Sequence, residues 1–154
     1  MEYGSIEREI HVDASPEVVY EVVSTPEHLA GWWPDEAELE PGVGGAGTFR
    51  FGDSASPDRH VELVTVVEAD PYRRFSFRWV YDEGVTAAVG NSLLVTFDLL
   101  PTHAGTLLRM TETGFRERGW EAAKLEALYR DHVSGWDYYL PRVAPYVTKL
   151  VSAP

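Results

Sequence analysis

The chain begins with an alternation of apolar and polar positions. Ile6, Ile10 and Val12 share one phase while Glu7, Glu9 and His11 share the other, the period of two expected of a half-buried strand. Arg8 interrupts the apolar phase and is expected near the strand end. Asp13-Ala14-Ser15-Pro16-Glu17 then opens a helix: Ser15 can cap it, Pro16 suits its first position and Glu17 suits the positive end of its dipole. Val18, Val19, Val22 and Val23 recur at helical spacing through Ser24. Valines are poor helix formers, so packing must hold this helix. Thr25-Pro26-Glu27 repeats the signal for a second short helix to Trp32 or Trp33, closed by Pro34.

Strand-like segments follow. Ala37–Glu40 leads through the Gly-rich turn Pro41–Gly45 to Thr48–Phe51, and the loop Gly52–Arg59 leads to His60–Ala69, rich in β-branched residues. Asp70-Pro71 marks a turn. Across Arg73–Tyr81, Phe75, Phe77, Trp79 and Tyr81 alternate with Arg74, Ser76, Arg78 and Val80. Ser92–Leu100 and Gly105–Thr113 make a final hairpin, and from Glu117 onward the period becomes helical, through Trp120, Leu125, Leu128, Val133, Trp136, Tyr139, Leu140, Val143 and Val147. Pro141 and Pro145 fall inside that last pattern; each removes an amide hydrogen bond, so a bend or split is expected. Meandering strands with helices segregated to the ends predict an α+β domain with an antiparallel sheet. Neither a repeat nor a linker divides the sequence, so residues 1–154 read as one domain.

Composition narrows the function. Thirteen Lys+Arg against 25 Asp+Glu give a net charge of −12, which argues against a nucleic-acid partner or an anionic membrane. With no cysteine, disulfides, thiolate catalysis and Cys-based zinc sites are excluded. The segment Met1–Ser5 lacks the basic and apolar run of a signal peptide, and a cytoplasmic location is the default expectation. The five histidines include no pair at i,i+4 and no HExxH, so no metal site is expected. Ser134 lacks the setting of a nucleophile, and Val43–Gly47 is a turn rather than a phosphate loop because it precedes a strand and carries no Lys-Ser/Thr. No cofactor is implied.

Several pieces occur in a telling order: Asp13-Ala14-Ser15-Pro16, Pro26-Glu27-His28-Leu29, Trp32-Trp33-Pro34, Val43-Gly44-Gly45, Val67-Glu68-Ala69-Asp70-Pro71, Val95-Thr96-Phe97, Gly105-Thr106-Leu107-Leu108, Glu112-Thr113-Gly114-Phe115 and His132-Val133-Ser134-Gly135-Trp136. Together they resemble the START-like (SRPBCC) superfamily and, more narrowly, the family related to the activator of the Hsp90 ATPase. The resemblance implies a helix-grip, Bet v 1-like fold, in which a curved antiparallel sheet grips a long C-terminal helix and leaves a cavity between them. Glu117–Asp131 looks longer and more helical than the link usual in that family.

On that frame the strand phases give an expected lining: Phe49 and Phe51; Leu63, Thr65 and Val67; Phe75, Phe77, Trp79 and Tyr81; Val95, Phe97 and Leu99; Leu108, Met110 and Glu112. The helix would answer with Trp136, Tyr139, Leu140, Val143 and Val147, and Trp32 and Trp33 would sit near the mouth. Such a wall suits a small apolar molecule, although the same aromatics can simply fill a core. Glu112 is the sharpest polar candidate. Inside the cavity it could act as a general acid or base; at the strand end it would meet water or an arginine. His132 lies one turn before Trp136 and could reach the mouth, or serve only in helix packing.

Three functions compete. The adopted reading is a module that binds a hydrophobic, aromatic or lipid-like small molecule, without assigned catalysis. A cyclase, dehydratase or hydrolase of the kind found among START-like relatives would use the same cavity, with Glu112, His132, Tyr81 or Tyr139 moving protons. Regulation of a chaperone ATPase follows only from the family resemblance. A homodimer remains open, since edge strands and exposed aromatics such as Trp120 offer surface.

Overall fold

The computed structural model describes residues 3–52, 55, 57 and 59–152; residues 53, 54, 56 and 58 of the expected 52–59 loop lie outside them, as do Met1 and Glu2. The first strand, β1 (Ser5–Val12), is followed by α1 (Pro16–Ser24) and α2 (Pro26–Trp32). Six strands come next: β2 (Glu36–Leu39), β3 (Ala46–Phe51), β4 (His60–Asp70), β5 (Arg74–Trp79), β6 (Leu93–Thr102) and β7 (Gly105–Thr113). The chain ends with α3 (Ala122–Tyr139), one 3-10 turn (Leu140–Arg142) and α4 (Val143–Ser152). All seven strands form one antiparallel sheet in the order β1-β7-β6-β5-β4-β3-β2. The α+β helix-grip architecture expected from the sequence is therefore the one found.

Local chemistry accounts for the helices. Ser15 Oγ accepts from the Val18 amide at 3.4 Å, and Pro16 opens α1, whose Val19, Val22 and Val23 are buried. In α2, Gly31 is required by a close approach: a Cβ there would lie 2.2 Å from the Tyr146 ring of α4. His28 Nδ1 and the Tyr146 hydroxyl, 2.7 Å apart, tie the same two helices. Pro141 does split the C-terminal rod, because the chain tightens to a 3-10 turn around it and restarts as α4; Pro145 sits in the first turn of α4, where a missing N–H is tolerated. Helix formation begins at Ala122 rather than Glu117. The backbones of α1 and α4 lie close on the sheet, whereas α3 stands further off and reaches it through long side chains.

Two strand expectations need correction. Arg8 is in the middle of β1, not at its end, and its Nε donates to Asp137 of α3 at 2.7 Å; its side chain stays 39% exposed, so a cation can occupy this phase without being desolvated. In β4 the inward residues are Val64 and Val66, while Val67 is exposed. β-Branched residues occupy both phases of this strand, and the register shifts between Val66 and Glu68. A bulge changes the parity of every later residue, so the alternation could not be carried along the strand.

Candidate functional site

β7 carries Leu108 and Met110 inward, and the pleat takes Glu112 with them until its carboxylate is fully buried. Neither water nor an arginine receives it. Trp79 Nε1 donates to Oε2 at 2.7 Å and Trp136 Nε1 donates to Oε1 at 2.8 Å. His132 Nδ1 lies 2.9 and 3.0 Å from the two oxygens. Indole N–H groups can only donate, so both oxygens are committed as acceptors, and a carboxylate accepting from three donors is the consistent assignment. That arrangement places a proton on His132 Nδ1.

His132 is 12% exposed at its side chain and packs against Trp79 and Phe115. Burial pulls its basicity down. The Glu112 carboxylate, through charge and hydrogen bond, together with Asp131 and Glu62, outweighs burial and raises the pKa above the ordinary 6.5.

Above this pair lies a cavity of about 610 Å³, partly open to solvent. Its wall includes Trp33, Phe51, Trp79, Trp136 and Tyr139 from the expected set, together with His132. The rest of that set lies elsewhere. Phe49, Phe77, Phe97, Met110, Leu140 and Val143 are in the packed core beneath the cavity. Trp32 is not at the mouth but fully buried, with Nε1 donating to the Val22 carbonyl at 3.0 Å.

The physical reason is Trp33. At the C-terminus of α2 it drops between sheet and helix, its ring centroid 4.8 Å from Trp136, 5.1 Å from Trp79 and 5.2 Å from Phe49. This side chain plugs the interior, and the open volume is displaced outward. Tyr81 is lost from the wall for a different reason: Val80 adopts φ +58, breaks the alternation after Trp79, and the Tyr81 hydroxyl instead meets Thr65 Oγ1 at 2.6 Å. Thr65 has the opposite phase to the buried Val64 and Val66.

Sequence reasoning missed Glu62, His60, Val80, Leu128, Asp131, Ser134, Gly135 and Tyr138, all on the cavity wall. Glu62 has the phase of Val64 and Val66, so a correct reading of β4 finds it. Burial raises its pKa above the ordinary 4.5, opposed by the charges of His60 and His132. On α3, the spacing i, i+4, i+7 from Leu128 gathers His132 and Gly135 on one side. The Tyr139 hydroxyl is also held above its ordinary pKa of 10.0, mainly by burial.

The fold and this site define a START-like helix-grip protein. The chain belongs to the Activator of Hsp90 ATPase homolog 1-like family, whose model matches residues 13–148. Among solved structures it resembles protein NE0264 from Nitrosomonas europaea (TM-score 0.78, 14% identity, 99% of each chain covered). It is also similar to protein MLL2253 from Mesorhizobium loti (TM-score 0.73, 19% identity, 94% of this chain and 97% of that chain). Protein CV1439 from Chromobacterium violaceum is 25% identical at TM-score 0.70, again over 94% and 97% of the two chains. No curated protein matches the chain. Among the described residues no helix is long and apolar enough to cross a membrane, and no His, Asp or Glu cluster could hold a metal ion.

Proposed function

We propose that the protein binds a flat, largely apolar small molecule in the cavity between α3 and the β3–β5 side of the sheet. The observation that carries this reading is the wall itself: about 610 Å³ bounded by Trp33, Phe51, Trp79, Trp136, Tyr138 and Tyr139, with a few polar groups set among them. That volume falls in the range of small-molecule sites, and aromatic walls with sparse polar groups are their usual composition. The plug formed by Trp33 sets the shape: a guest lies across the indoles rather than threading into the core, which favours ring systems over long acyl chains.

Titration with 1-aminoanthracene tests the proposal. Enhanced probe fluorescence with saturable one-site binding is expected, and replacing Trp136 with Phe is expected to weaken it. Absence of saturable binding by 1-aminoanthracene and by a panel of neutral two- and three-ring compounds would overturn it.

A further inference from the structure

We propose that His132 is a general base opening onto this cavity, with Glu112 as the residue that positions it, so that the site abstracts a proton from an acidified C–H of a bound ring compound. The inference rests on the binding reading above and goes beyond it to a reaction.

Its grounds are geometric. Nδ1 is taken up by the Glu112 carboxylate. Nε2 has no hydrogen-bond partner among the described residues, yet it is not one of the sealed, unpartnered polar atoms, and the ring lines the cavity. The free lone pair of the Nδ1–H tautomer therefore faces the space where a guest lies. Glu112 is itself anchored by Trp79 and Trp136, two walls of the same cavity, so the base is fixed relative to the surfaces that would orient a substrate. A carboxylate behind an imidazole fixes its tautomer and stabilises the imidazolium formed on proton uptake.

The second polar group is Tyr139, seven residues along α3, a rise of roughly 10 Å. A ring compound spanning that distance could lose a proton at His132 while Tyr139 donates to a carbonyl or leaving-group oxygen. The charged and titratable groups facing His132 are Glu112 from β7, Glu62 from β4 and Asp131 on its own helix. All are acidic and favour the imidazolium.

The probe for this chemistry is 5-nitrobenzisoxazole, a flat apolar carbon acid. Nε2 takes the proton from C3, the C–H electron pair completes a nitrile, and the N–O bond breaks to release coloured 2-cyano-4-nitrophenolate. His132 then returns its proton to water, and no oxidant or further reactant is needed. The expected result is turnover about 100-fold or more above free imidazole at equal concentration of base, rising with pH through a midpoint above 6.5.

His132→Gln is expected to return the rate to background. Glu112→Gln is expected to cut it strongly and to move the remaining midpoint to lower pH, a readout that a purely structural role would leave unmoved. Binding of 1-aminoanthracene and the circular dichroism of each variant are measured alongside. If the wild-type protein binds the dye without turnover, or if the rate survives His132→Gln in a folded variant, the base assignment falls and the pocket reading stands. If neither dye binding nor turnover occurs, both fall.

Discussion

Glu112→Gln is the substitution on which the reading of the site can be measured most directly. The change is isosteric, so no cavity term enters, and the loss comes from hydrogen bonding and charge alone. In the native site three groups direct protons at two carboxylate oxygens. An amide offers one oxygen and one NH₂. The oxygen can keep one indole, and the NH₂ can donate to His132 Nδ1 if the imidazole shifts its proton to Nε2. The other indole N–H then faces a donor inside a fully buried site.

One orphaned buried donor costs about 1–3 kcal/mol, and removing charge assistance from the other bonds adds to it, so about 3 kcal/mol in total is expected. Urea unfolding followed by far-ultraviolet circular dichroism, which reports mainly on the backbone, should show the midpoint lowered by roughly 1–2 M. The pH dependence supplies an independent check. The folded pKa of His132 is raised above 6.5, so its contribution to stability is fully present below 6.5 and is lost as pH rises through the folded value. Glu112→Gln removes the main cause of the raised value, and the decline in stability above pH 6.5 should flatten. A loss below about 1 kcal/mol at neutral pH, or an unchanged pH slope, would refute the three-donor carboxylate.

Further predictions concern the cavity wall. Glu62 is held protonated more readily than an ordinary glutamate because it is half-buried and partly desolvated, so at neutral pH its charge opposes folding; Glu62→Gln should raise the melting temperature at pH 7 and change little near pH 4, as seen by calorimetry. Gly135 is a mid-helix glycine with nothing within 4 Å of an added Cβ, and Gly135→Ala should stabilise by roughly 0.5–1 kcal/mol in urea unfolding. Val80, held at φ +58, is a β-branched residue in a region such residues avoid; Val80→Gly should prove close to neutral, whereas Val66→Gly in the same sheet should cost several kcal/mol. Trp33→Ala should cost about 3–5 kcal/mol and, if the protein remains folded, deepen the cavity so that larger ring systems bind.

How far the sequence revealed this molecule depends on the range over which each signal acts. Caps and turns act within a few residues. Ser15-Pro16 and Thr25-Pro26 therefore placed α1 and α2, Pro141 placed the break in the C-terminal rod, and the uninterrupted alternation of Leu108, Met110 and Glu112 carried Glu112 to the inner face. Alternation fails where one residue alters parity, as Val80 does on the cavity wall, and where both phases of a strand are apolar. In β4, β-branched residues in both phases hid Glu62, and Val80 with its positive φ sent Tyr81 away from the wall.

The partners of Glu112 were out of reach for a different reason. Trp79, His132 and Trp136 come from β5 and α3, 33, 20 and 24 residues away, and no local pattern says that two indoles and an imidazole will converge on one carboxylate. Nor does periodicity reveal that Trp33, one residue beyond the end of α2, swings inward while Trp32 caps a different part of the core. That one choice fills the space beneath α3 and leaves the open volume on the outer side, where His132 lines it. The shape of the cavity thus follows from one side chain: with Trp33 turned outward, the hollow would extend to Phe49, which the indole now covers at 5.2 Å between ring centroids.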